Sequence, residues 1–127
     1  MKKIIIESKS IGKINLIPSE ENPETLKKFL KILPCEGKAN LWGEEIYFKI
    51  PIEKIEPENP RKILKEGEVG IWIEEPSLCI FFGKTPISKK NEIVAYSDVN
   101  VIGKIEGDYK IFKKVKRGEK IKVYLED

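Results

Sequence analysis

Two nearly continuous apolar runs, GIWI and LCIFFG, lie within Gly67 to Pro86 and are joined across Glu74, Glu75 and Pro76. A strand with one wet face alternates apolar and polar residues, whereas a strand covered on both faces is apolar throughout. The pair therefore reads as a β-hairpin at the centre of a sheet, with apolar material on either side. A chain of 127 residues buries one substantial core but not two independent ones. Residues 1–127 are thus expected to form a single domain arranged around this hairpin.

Lys2 to Glu7 and Ile11 to Ile17 read as a first hairpin, because Ile14 and Leu16 alternate with Lys13 and Asn15 in the period of a half-buried strand. Asn22-Pro23 opens a helix, with Asn22 expected to cap its free amides and Pro23 losing no hydrogen bond in the first turn. Leu26, Phe29, Leu30 and Leu33 then share one face and Pro34 stops the helix. ANLW and EIYFKI are joined by Gly43-Glu44, which suits a two-residue turn with a positive φ at its first position. Three prolines between Pro51 and Lys65 predict a long irregular connection, the kind that often borders a site. Asn91 to Ser97 has no readable period. Val99 to Gly107 reads as a strand, Asp108 caps a short helix ended by Gly118, and KIKVYLE is the last strand. The expected fold is mainly β: a closed barrel of about eight strands with two short helices, since closure removes exposed edges.

Charged residues are 35% of the chain but the net charge is only +3, so the signs are interspersed and a fold-wide electrostatic role is not expected. The basic stretch from Lys110 to Lys122 has acidic residues among the lysines and no aromatic stacking strip. It reads as a solvated face, not a nucleic-acid interface. No run is long and apolar enough for a membrane span, and MKKIII lacks a signal-peptide pattern; a soluble, cytoplasmic protein is expected. The Lys, Glu and Ile bias, with no His or Gln, resembles that of hyperthermophile proteins and implies a thermophilic source. Cys35 and Cys79 are expected to be buried thiols, with a disulfide as the alternative. Two thiols without His cannot supply a metal site, and neither a phosphate-cradling loop nor a Ser, His and Asp set is present. No cofactor is expected.

Across essentially the whole chain, the ordered strings IGKINLIP, ENPETLKKFLKI, YFKIP, IFFG, VNVIGKIEGDYKIFKKV and KIKVYL resemble the cyclophilins. WGEEIYF, GIWI, LCIFFGKTP and VNVIG resemble blocks of the small bacterial and archaeal cyclophilin-like proteins of unestablished function. The resemblance implies a cyclophilin-like barrel. It sets Lys49 where a cyclophilin has its catalytic arginine and Phe82 at the pocket phenylalanine, while the pocket glutamine is unmatched. Lysine keeps the charge but lacks the planar fork of arginine.

Trp42, Tyr47, Trp72, Phe81 and Phe82 sit on or beside the two central hairpins. Each is expected in the core, except Trp72, which alternates with Ile71 and Ile73 and so faces away from them. Of the carboxylate pairs Glu44-Glu45 and Glu74-Glu75, Glu45 stands out because it begins a strand beside Tyr47; turned inward, it would anchor a cationic or hydroxylated ligand. Three functions stay open. The first is binding of a small molecule or short peptide by Glu45, Tyr47, Lys49, Trp72, Phe82 and the loop Gly83, Lys84, Thr85 and Pro86. The second, implied by the resemblance, is prolyl isomerisation with Lys49 and Phe82 as catalytic groups. The third is a scaffold or homo-oligomer subunit.

Overall fold

A computed structural model describes residues 2–127. The first hairpin is β1 (Lys3–Ser8) and β2 (Gly12–Pro18), in the register Ile4 to Leu16 and Ile6 to Ile14. Helix α1 (Pro23–Lys31) follows, with Phe29 and Thr25 on its buried side. Its cap differs from expectation. The Asn22 side chain is fully buried, donating to the Val101 carbonyl at 2.8 Å and accepting from the Asn59 amide at 2.7 Å. The first-turn amides of Glu24 and Thr25 are satisfied instead by the carboxylate of Glu58, at 3.1 and 3.0 Å. An acidic group at a helix N-terminus satisfies free amides and opposes the positive end of the helix dipole.

The remaining strands are β3 (Cys35–Lys38), β4 (Asn40–Leu41), β5 (Glu45–Lys49), β6 (Arg61–Leu64), β7 (Glu68–Trp72), β8 (Ser77–Phe81), β9 (Ile93–Ile105) and β10 (Lys120–Glu126). All ten belong to one sheet, in the order β3-β10-β1-β2-β9-β7-β8-β5-β4, with β6 also paired to β9. The count among the described residues is therefore ten, not eight. The extra strands are the short β3 and β6, the latter lying inside the segment expected to be irregular. The hydrogen-bonded path starts on β3 and ends on β4, which are separated along the chain only by Ala39. β9 begins at Ile93, so the stretch without a readable period is the first half of the longest strand. The second helix is a 3-10 turn, Tyr109–Lys114, whose first amides include a bond from Lys110 to the Asp108 carboxylate; it stops short of Gly118. Both cysteines are free thiols. No described helix is long and apolar enough to cross a membrane.

The central hairpin lies where its composition demands, with β9 and β5 on its two flanks. Every residue of β8 is buried. Alternate side chains of β5, β7 and β8 divide between two apolar layers. Ile46, Phe48, Val69, Ile71, Leu78, Ile80 and Phe82 face the main core with Phe29, Phe112 and Ile121. Cys79 and Phe81 face the other way and join Leu64, Ile93, Ala95, Val99 and Val101, with Tyr47 and Trp72 packed against them. Burial of each large side chain is worth about 1.5–3 kcal/mol, so the two layers hold the sheet from both sides.

A buried polar network joins α1 to the segment ahead of β6. Asn100, fully buried on β9, donates to Thr25 Oγ1 and to the Glu56 carbonyl, both at 2.9 Å, and accepts from the Glu58 amide at 3.2 Å. Arg61 spans two carboxylates, with Nε 2.7 Å from Glu21 and Nη2 2.5 Å from Glu68. The long connection is thereby pinned to the sheet despite its prolines.

Candidate functional site

The second apolar layer is incomplete at one end, and the gap is a pocket of about 280 Å³. Cross-strand pairing places its floor. Glu45 lies opposite Phe81 and Tyr47 opposite Cys79, and directly paired residues share a face. Gly70 pairs with Cys79 on one side and Val101 on the other, and Trp72 with Ser77 and Val99. The side chains of Glu45, Tyr47, Trp72, Cys79 and Phe81 therefore rise from one surface. The first half of β9 contributes Ala95, Tyr96 and Ser97, and Trp42 comes from the turn before β5.

Three aromatic rings form the walls. Tyr96 meets Trp42 edge-on, with centroids 6.1 Å apart and planes at 80°, and meets Trp72 in the same way at 6.0 Å and 80°. Such T-shaped contacts suit the ring quadrupoles. The Trp72 indole N–H donates to Ser97 Oγ, which fixes the orientation of the ring. Tyr96 is 67% exposed, so it forms the rim.

Trp42 is held by a tight turn. Trp42 and Glu45 exchange backbone hydrogen bonds at 3.0 and 3.2 Å, and Gly43 takes a φ of 62°, the geometry of a two-residue turn with glycine at its first central position. The loop after β8 buttresses that turn. The Glu44 amide donates to the Lys84 carbonyl at 2.8 Å and the Phe82 amide to the Glu44 carbonyl at 3.0 Å. A Cβ on Gly83 would lie 2.2 Å from Glu44 Oε1, so a larger residue there would require the Glu44 side chain to move. Thr85 is tied to the same loop, its hydroxyl 2.5 Å from the Val94 carbonyl and 2.9 Å from Ser88 Oγ.

Glu45 is the chemically distinct group. It is only 6% exposed and lines the pocket. Ion pairs among the described residues involve Lys13, Arg61, Lys110 and Lys113, none of them with Glu45. Burial pushes its carboxyl up to about 7, partly opposed by a hydrogen bond with the Cys79 thiol. Burial, followed by the Glu45 charge, pushes the Cys79 thiol well above its ordinary range, so it is an inert neighbour and not a thiolate nucleophile.

The predicted site residues are placed unevenly. Glu45, Tyr47 and Trp72 come together in the pocket. Lys49 shares their strand face but lies at the far end of β5, exposed, opposite Ser77. Phe82 is in the main core on the opposite face, its ring centroid 6.2 Å from that of Phe112; Phe81 is the phenylalanine that faces the pocket. Gly83, Lys84, Thr85 and Pro86 support the Trp42 turn and do not line the cavity. Tyr96 was not anticipated, because its segment carried no strand signal; an aromatic flanked by Ala95 and Ser97 was the available clue.

The cyclophilin-like family model matches residues 2–124. The chain belongs to the cyclophilin-like family. This cyclophilin-like chain is also similar to the hypothetical protein AF2241 from Archaeoglobus fulgidus, whose solution structure superimposes with a TM-score of 0.83 at 36% sequence identity. That likeness covers 96% of this chain and 92% of the other. No match was found among curated proteins.

Proposed function

We propose that this cyclophilin-like protein binds a small molecule in the pocket built from Trp42, Glu45, Tyr47, Trp72 and Tyr96. One observation carries this reading: aromatic walls from three separate strand regions converge on a buried carboxyl that has no ion-pair partner among the described residues. Apolar cavities with a few convergent polar groups are the usual form of ligand sites, and about 280 Å³ lies at their small end. That size favours a compact ligand, or a single side chain, over an extended peptide. The same reading takes the sheet as a barrel closed along the chain at Ala39. Its interior is filled by core side chains, so the site lies on the outer face.

The placement of Lys49 and Phe82 on opposite faces of the sheet disfavours prolyl isomerisation, since one prolyl segment would have to reach both. The test is a fragment screen followed by 1H–15N NMR, using the Trp42 and Trp72 indole N–H signals as reporters. Binding should move these signals and that of the Tyr96 amide together. Hits that perturb only other regions, or a screen in which no fragment moves the indoles, would sink the proposal.

A further inference from the structure

We infer that the ligand of this pocket carries an alkylated ammonium group, packed against the aromatic faces with Glu45 as its counter-ion. This rests on the pocket reading above and names the chemistry it selects. Aromatic faces attract cations through the ring quadrupole, and mutually perpendicular rings let one cation touch more than one face. Tyr96 stands at 80° to both Trp42 and Trp72, which builds two such corners in one wall.

The carboxyl provides the second, independent indication. Glu45 is more than nine-tenths buried, lines the cavity beside the Cys79 thiol, and forms no ion pair among the described residues. A buried carboxylate without a counter-charge is unfavourable, and the empty site relieves this by keeping the proton. An entering cation supplies the missing charge; the proton then leaves Glu45 for solvent, and the site stays neutral overall. The walls also select among cations. Apart from Glu45, the polar atoms of the lining are the Cys79 thiol, the Tyr47 and Tyr96 phenols and the Ser97 hydroxyl, which already accepts from the Trp72 indole; the rest is aromatic or aliphatic surface. A primary ammonium brings three donors that need partners, whereas a quaternary one brings none.

The other titratable groups facing the cavity are Tyr47 on β5, Cys79 on β8 and Tyr96 on β9. Cys79 is held neutral by burial and by the Glu45 charge. On the adjoining turn, Glu44 pairs with Lys113 of the 3-10 helix at 3.5 Å. Glu45 is the one acidic residue lining the cavity, and its carboxyl titrates near pH 7.

The experiment is an NMR titration of the full chain with choline and with 3,3-dimethylbutan-1-ol, its uncharged isostere, at pH 5.5 and pH 8. Choline should bind at least about tenfold more tightly than the isostere. Its affinity should fall about thirtyfold from pH 8 to pH 5.5 as Glu45 takes up its proton. Glu45→Gln should remove that pH dependence. Tyr96→Ala, at a rim position whose loss leaves the core intact, should weaken choline about tenfold. A short peptide bearing trimethyllysine separates the two sources of such a group: tighter binding than choline assigns a protein side chain, weaker binding a free small molecule. Equal affinity for choline and the isostere, or choline affinity independent of pH in the wild type, overturns the inference while leaving the pocket reading in place. If neither probe nor any neutral fragment moves the Trp72 indole, both readings fall. Should Glu45→Gln not fold, the isostere comparison and Tyr96→Ala still decide.

Discussion

Glu45 on β5 and Cys79 on β8 meet on one face of the sheet, carboxyl against thiol, with neither in an ion pair among the described residues. Two acidic groups in contact, both removed from water, favour the state in which each keeps its proton. Below about pH 7 the fold thus holds a neutral acid at the bottom of an aromatic pocket, and that arrangement has a cost that depends on pH.

The sign of that dependence follows from linkage. In the unfolded chain Glu45 titrates near 4.5, in the folded protein near 7. As pH rises between these values the unfolded state sheds its proton first, so the stabilisation present below about pH 4.5 is lost as pH rises through about 7. The loss amounts to about 3 kcal/mol. Urea denaturation of wild type and Glu45→Gln from about pH 4 to about pH 8 should show the variant gaining by that amount over the window and no further change above it. A constant difference across the range would mean that Glu45 titrates as an ordinary surface carboxyl.

Asn100→Ala should destabilise the protein by about 2 kcal/mol, because it removes a fully buried amide that bonds the buried Thr25 hydroxyl together with the Glu56 carbonyl and the Glu58 amide. Glu58→Ala should cost about 1 kcal/mol through the lost helix cap. Burial raises the Glu58 carboxyl, but the Glu24 and Thr25 amides and the Thr25 hydroxyl outweigh it and hold the group below its ordinary range. Its contribution is therefore present at neutral pH and lost as pH falls through that lowered value. Chemical denaturation of both variants checks the order; equal and negligible effects would show that the segment from Pro51 to Pro60 is not held by these contacts.

Phe82→Ala should cost about 3–5 kcal/mol, the usual result of emptying a phenylalanine site in a packed core, while leaving the Trp72 indole resonance in place. The measurement is a melt paired with one NMR spectrum. A stable variant with a displaced Trp72 signal would put Phe82 in the pocket after all.

The contrast between Phe81 and Phe82 shows what a sequence of this kind hides. In LCIFFG both faces of the strand are apolar, so the run announces a buried strand but conceals which residues share a face, and a slip of one position exchanges the pocket for the core. The same doubly apolar pattern made the central hairpin legible. Trp72 was legible too, because Ile71 and Ile73 on either side fix its direction. Tyr96 was not: Ile93, Val94 and Ala95 are buried in succession, which erases the period of two. Asn22 marked the start of the helix correctly, but its side chain serves β9 while Glu58, remote in sequence, takes the cap. Local propensity names the place where a cap is needed, and only the tertiary fold names the group that fills it.

The ladder ends on β3 and β4, of four and two residues, and the chain runs directly from one to the other through Ala39. The Ala39 amide and carbonyl are themselves bonded, to the Glu119 carbonyl at 2.9 Å and the Gly118 amide at 2.8 Å. A neighbouring molecule seeking to extend the sheet at either end therefore meets a template too short to hold a strand, and on β3 one that carries Glu36 and Lys38. Short, charged edges of this kind block edge-to-edge aggregation, and here the protection comes from the path of the chain, without any added element to cover the edge.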